Sequence, residues 1–122
     1  MNVVILGASD KPERFAYKAQ KKLIAFGHDT FPVSLSGKDI LDRKGFTSIL
    51  EIPVEESPIH TATVYLNPGH FSGIVDDVLK AKPTRIILNP GTESAEIEER
   101  FRQAGVEVVR DCTLVMLDCG TF

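Results

Sequence analysis

The chain has 122 residues, 43% of them apolar and 25% charged, with 17 acidic against 14 basic side chains and a formal charge of -3. That composition fits one globular domain able to bury roughly two-thirds of its unfolded surface, and it excludes a disordered or fibrous chain. The acidic balance excludes the footprint of a non-specific nucleic-acid or anionic-lipid binder. The first apolar run, Val3–Leu6, is far shorter than the ~20 residues of a membrane span, so a cytoplasmic protein with neither nucleic-acid nor membrane partners is expected.

Val3-Val4-Ile5-Leu6 reads as a strand buried on both faces, because consecutive apolar residues leave no polar face for water. A helix is expected from Pro12, with Ala16, Ala19, Leu23 and Phe26 along one side and Gly27 as its stop. The second strand runs from Thr30 to Val33. Residues 34–60 are irregular and rich in Ser, Gly and Pro, with a short helical turn behind Ser48 and a small strand near Phe46. Thr61–Leu66 is the third strand. Phe71, Ile74, Val75, Val78 and Leu79 then follow the spacing of an amphipathic helix. Arg85–Leu88 is a fourth buried strand. The helix behind it buries Ile97, Phe101 and Ala104 and stops at Gly105, and Val106–Val109 is the last strand. Strands alternating with helices imply right-handed crossovers. The expectation is a single domain over residues 1–122: an α/β, Rossmann-like, doubly wound and mainly parallel sheet of about five strands, with helices on both faces.

In such a sheet, ligands bind at the carboxyl ends of the strands, where Gly7, Val33, Asn67 and Asn89 emerge together. Two of these ends echo each other: Val64-Tyr65-Leu66-Asn67-Pro68-Gly69 and Ile86-Ile87-Leu88-Asn89-Pro90-Gly91. Asn-Pro-Gly serves equally as helix-start punctuation, since Asn caps, Pro fits the first turn and Gly allows a sharp bend.

The turn after the first strand, Gly7-Ala8-Ser9-Asp10-Lys11-Pro12, sits where a nucleotide loop would lie, but it keeps only the first glycine of G-x-G-x-x-G. Charge placement adds to it. Lys11 and Arg14 stand at the start of the first helix, where cations cost a few tenths to about 1 kcal/mol each unless an anion sits between them and the backbone amides. A phosphate would be that anion; a solvated basic face is the alternative. The second strand ends in Pro32-Val33-Ser34-Leu35-Ser36-Gly37-Lys38, with no carboxylate before Asp39. A bare ribose normally meets an acid there. The segment suits an extra ribose phosphate instead, as in coenzyme A or NADP.

No signature of catalysis or metal binding is present. His28, His60 and His70 have no visible partners. Cys112 and Cys119 match neither a redox pair nor a zinc spacing and are expected as reduced thiols.

Taken together, Gly7-Ala8-Ser9-x-Lys11-Pro12-x-Arg14, Gly27-His28, Pro32-Val33, Thr63–Pro68, Asn89–Glu93 and Cys112–Leu117 resemble the small single-domain CoA-binding proteins of bacteria and archaea. Those in turn are similar to the CoA-binding domain of the succinyl-CoA synthetase α subunit. The resemblance implies that Gly7, Ala8, Ser9 and Lys11 meet the phosphates, with Arg14 as a second cation. Val33, Ser34 and Lys38 would line the adenosine and 3′-phosphate end. It also implies that Tyr65, Asn67 and Pro68 flank the middle of the ligand, and Asn89, Pro90 and Gly91 its pantetheine arm; an aromatic in a strand, such as Tyr65, is equally often core. Where the family commonly has Asn-Pro after Pro-Val, this chain has Ser34-Leu35. The expectation is binding of coenzyme A or an acyl-CoA without catalysis. An NADP-dependent oxidoreductase fragment and a nucleotide-binding interaction module are the alternatives.

Overall fold

Successive residues of the first strand face opposite helix layers, and that alternation sets the architecture. The computed structural model describes residues 1–122. Strand β1 (Asn2–Leu6) lies at the centre, with Val3 and Ile5 packed against Ala16 and Leu23 of α1 (Phe15–Ala25) and Leu117 of α5 (Thr113–Cys119). Val4 and Leu6 point the other way, into a larger cluster with Phe71 of α2 (Pro68–Ser72), Val75 and Val78 of α3 (Val75–Ala81), and Ile97 and Phe101 of α4 (Ala95–Gln103). All four apolar residues of β1 are fully buried. Burial of each such side chain contributes about 1.5–3 kcal/mol, which makes β1 the anchor of both layers.

The other strands are β2 (Asp29–Val33), β3 (Thr61–Val64), β4 (Arg85–Leu88) and β5 (Glu107–Arg110), and the sheet order is β2-β1-β3-β4-β5 with every pairing parallel. Leu6 aligns with Val33 on one side and Val64 on the other, and Val64 aligns with Leu88. Four strand ends therefore finish in register. The chain reverses its direction of travel across the sheet at β1, which puts the topological switch point at Gly7.

Several boundaries differ from the sequence expectation. Helix α1 begins at Phe15 rather than Pro12, because Arg14 N donates to Lys11 O at 3.0 Å to close a turn that leaves Arg14 extended. Lys11 and Arg14 thus stand on the approach to the helix. Phe26 and Ala104 are exposed, since each is the residue capping its helix rather than a member of the last turn. The third strand ends at Val64, beyond which Tyr65 and Leu66 splay to opposite sides of the sheet. The expected helix around Phe71–Leu79 is two helices, because Ile74 leaves helical geometry between Gly73 and Val75. The strand near Phe46 is a single bridge to Val33, and the turn behind Ser48 is a 3-10 turn (Ile49–Glu51) closed by a capping box with Glu51. Helix α5 has no counterpart among the predicted elements. No helix is long and apolar enough to cross a membrane.

Candidate functional site

Gly7 ends β1 in the left-handed region, at φ +86°. Its N–H and that of Ala8 both donate to Val33 O, at 3.1 and 3.0 Å, which pins the turn to the end of β2. A Cβ on Gly7 would lie 3.0 Å from Leu66 Cδ2 and 3.1 Å from the Tyr65 carbonyl carbon. Only glycine meets both demands, the positive φ and the close approach.

Two cavities open at the carboxyl edge of the sheet, and Gly7 is common to both. The first, of about 520 Å³, lies on the α3 side. Its walls include Ala8, Val33, Ile49, Leu66 and Ile74, and hydroxyls of Ser34, Ser36, Thr47 and Ser48 rim it; Asp77 is its one charged lining residue. Leu35 also lines it and is fully exposed. The second, of about 380 Å³, lies on the α1 side and is bounded by Ser9, Lys11, Arg14, Phe15, Tyr65, Pro90 and Thr92. It holds two cations and no carboxylate.

The ground around the second cavity is electropositive for a structural reason. Helix α1 has no acid in its first turn and no side-chain cap, whereas Ser94 caps α4 and Glu96 and Glu98 fill its first turn. Uncapped N–H groups and the positive end of the helix dipole make the start of α1, which borders this cavity, suited to an anion. Ser9 Oγ accepts from Lys11 N at 3.1 Å, which folds the loop over that terminus. Neither Lys11 nor Arg14 is held in an ion pair. Lys38 Nζ stands 3.7 Å from Asp10 Oδ2, with both side chains mostly exposed, a contact too solvated to fix either one. What fixes the Lys38 backbone is Gly45, where a Cβ would fall 1.9 Å from Lys38 O and where N–H donates to Asp39 Oδ1 at 2.9 Å.

Tyr65 lines the second cavity with its hydroxyl buried and without a hydrogen-bond partner. Burial pushes the phenol up to about 12, tempered by the nearby hydroxyls of Thr113 and Thr63, which pair with each other at 2.8 Å. The phenol therefore stays protonated at neutral pH.

The structure separates the residues singled out from the sequence into three groups. Gly7 borders both cavities; Ala8, Val33 and Ser34 border the first; Ser9, Lys11, Arg14, Tyr65 and Pro90 border the second. Lys38 and Gly91 stand beside the crevice without lining it, Gly91 at φ +90° with its N–H donating to Glu93 at 2.9 Å. Asn67, Pro68 and Asn89 have structural duties. Asn67 Oδ1 accepts from His70 N at 2.9 Å and caps α2, and Pro68 faces a groove against Ser94 and Ile97. Asn89 is buried, its Nδ2 donating to Thr63 Oγ1 at 2.7 Å and Val64 O at 2.9 Å. Its Oδ1 accepts from Thr113 N at 2.9 Å. Those bonds leave the Asn89 side chain committed to the fold. None of the three histidines lines either cavity, and neither does Cys112, half-buried at the start of α5.

Leu66, Ile74 and Asp77 were not identified from the sequence. The first two carry the spacing of ordinary core residues, and Asp77 reads as a solvated helix carboxylate.

Known proteins place this geometry in context. A family model described as a CoA binding domain matches residues 1–118. The crystal structure of an uncharacterized protein is 36% identical and superposes with a TM-score of 0.87, covering 99% of this chain and 97% of that one. YneT of Bacillus subtilis (strain 168), described as uncharacterized, is 22% identical over 109 residues, 89% of this chain and 78% of that protein. The dinucleotide-forming acetyl-coenzyme A synthetase 1 of Ca. Korarchaeum cryptofilum contains the same fold, with a TM-score of 0.75 at 18% identity over 90% of this chain and 25% of the synthetase.

Proposed function

The chain belongs to the family of CoA binding domains, and from that premise we propose that coenzyme A, or an acyl-CoA, binds extended across Gly7 and is held there without being transformed. The observation that carries this reading is the division of charge between two cavities that share one glycine. The first offers apolar walls, hydroxyls and one carboxylate, a setting that accepts a base and repels phosphate. The second offers Lys11, Arg14 and an uncapped helix terminus, a setting that attracts phosphate and lacks any acid. A ligand with an adenine at one end and a pyrophosphate next to it matches that order. Its pantetheine arm then runs past Tyr65 toward Pro90 and Thr92.

Lys38, on the loop after β2 and tethered only by an exposed contact with Asp10 of the Gly7 loop, is the cation left free for a phosphate on the ribose. This supports coenzyme A over its dephosphorylated form, and NADP is the competing ligand with a similarly placed charge.

Calorimetric titration with coenzyme A, dephospho-CoA, NADPH and NADH tests the reading. Coenzyme A is expected to bind most tightly, and assays for acyl-CoA or ATP hydrolysis and NAD(P)H oxidation are expected to stay at background. Tighter binding of NADPH than of coenzyme A, or turnover lost on mutation of a lining residue, would overturn it.

A further inference from the structure

Asp76 and Asp77 are neighbours on α3 with different surroundings. Asp76 turns outward and its Oδ1 accepts from Arg100 at 2.6 Å. Asp77 is half-buried, has no ion pair and no side-chain hydrogen bond, and is the one charged residue lining the first cavity. Its place in the first turn of α3 is favourable to the helix dipole. That accounts for an acid on this turn, as Asp76 already does, and not for one in the wall of an otherwise apolar and hydroxyl-bearing cavity.

A carboxylate only accepts hydrogen bonds, so its complement is a donor. Among the parts of the ligand proposed above, the phosphates are repelled by it and are drawn to the Lys11 side. The adenine ring is a flat apolar group suited to such walls and carries one exocyclic amine, the N6 donor, at the position where guanine and hypoxanthine carry an acceptor oxygen. We propose that Asp77 reads the N6 amine of the adenine and so determines which base the cavity accepts. This rests on the assignment of coenzyme A to the crevice and adds a specificity residue to it.

The test compares coenzyme A with 1,N6-etheno-coenzyme A, in which N6 is locked into a fused ring and cannot donate while the phosphates are unchanged. A hydrogen bond to a charged acceptor corresponds to roughly a tenfold to hundredfold preference. The unsubstituted protein is expected to favour coenzyme A by about that factor. In Asp77→Ala the two ligands are expected to bind alike, at the weaker affinity, with the melting temperature confirming that the variant is folded. Two results would overturn the proposal: equal binding of both ligands by the unsubstituted protein, or a preference that survives in Asp77→Ala and so reflects only the bulk of the fused ring. If neither ligand binds the unsubstituted protein, the coenzyme A reading falls and this one with it. Binding without preference sinks only the role of Asp77.

Discussion

Thr113 donates its backbone N–H to Asn89 Oδ1 at 2.9 Å, so the carboxyl end of β4 holds the first turn of α5. The same asparagine reaches across the sheet to Thr63 and Val64, and the Thr63 and Thr113 hydroxyls meet at 2.8 Å. β3, β4 and α5 are thus joined by one buried polar network beneath the second cavity.

Replacing Asn89 with Ala leaves the Thr113 N–H without its partner, takes a donor from Val64 O, and leaves Thr63 Oγ1 only the Thr113 hydroxyl. At about 1–3 kcal/mol for each unsatisfied group, partly relieved by relaxation, the expected loss is on the order of 2–4 kcal/mol. Thermal unfolding checks it. Coenzyme A affinity measured well below the transition is expected to change little, since the Asn89 side chain faces the fold and not the crevice. A large affinity loss with an unchanged melting temperature would mark Asn89 as a ligand contact instead.

That network also explains what the sequence hid. The strands were legible because each is a short β-branched run flanked by polar residues, as in Val3–Leu6 and Arg85–Leu88, and the turn at Gly7 because nothing else ends such a strand so abruptly. Helix α5 was not legible. Its seven residues, Thr113-Leu114-Val115-Met116-Leu117-Asp118-Cys119, begin without a side-chain cap and include two β-branched residues in the first turn. Its start is fixed by Asn89, 24 residues away, and its packing by Met116 and Leu117, both buried. The site was legible by the same division. Val33, Ser34 and the Gly7 loop line the two cavities, whereas the Asn-Pro-Gly motifs at Asn67 and Asn89 carry side chains that serve the fold. Asp77 carries no mark in its neighbourhood, because its significance comes from the 3-10 turn and the β2 loop that complete the cavity around it.

Gly7→Ala is expected to lower stability and binding together. The substitution places a methyl group 3.0 Å from Leu66 Cδ2 in a backbone held at φ +86°, which combines a tight contact with a left-handed conformation costing on the order of 1–3 kcal/mol. Relief requires moving Leu66, a wall of the first cavity. The checks are a melting curve and a coenzyme A titration. An alanine variant with native stability would mean that the turn is looser than the Val33 hydrogen bonds indicate.

Lys11 and Lys38 are expected to separate the two ends of the ligand. Lys11 has no partner in the fold and borders the second cavity, so Lys11→Ala should weaken coenzyme A and dephospho-CoA equally, by roughly tenfold, without lowering the melting temperature. Lys38→Ala should weaken coenzyme A alone. Parallel titrations of both ligands against both variants resolve the roles. An equal loss for both ligands in Lys38→Ala would assign Lys38 to the pyrophosphate.

Acid is expected to destabilise the fold in two stages, the first from histidine. At the amino end of the sheet, His60 Nδ1 lies 2.7 Å from Thr61 Oγ1, and Arg85 Nε donates to the same oxygen at 3.1 Å. The N-terminal amine lies 3.3 Å from His28 Nδ1. Burial first, and then the positive charges of Arg85 and the N-terminus, hold both imidazoles below their ordinary 6.5. Above that pH the native and unfolded chains both carry them neutral, so they add no slope. As pH falls through 6.5 the unfolded chain takes up protons that the native state refuses, and stability declines until the lowered native values are passed. The second stage is the reverse case. Glu98, almost fully buried, accepts from Arg110 at 2.7 and 2.8 Å, and those bonds hold its carboxyl below the ordinary 4.5. The stability it contributes is present above that value and is lost as pH falls through the native one. Melting temperatures measured from about pH 7 to about pH 3.5 should therefore fall in two steps. The upper step should flatten in a His28→Gln, His60→Gln double variant, and the lower should remain. A melting temperature that is level down to about pH 5 in the unsubstituted protein, or an upper step that persists in the double variant, would remove the histidines from this account.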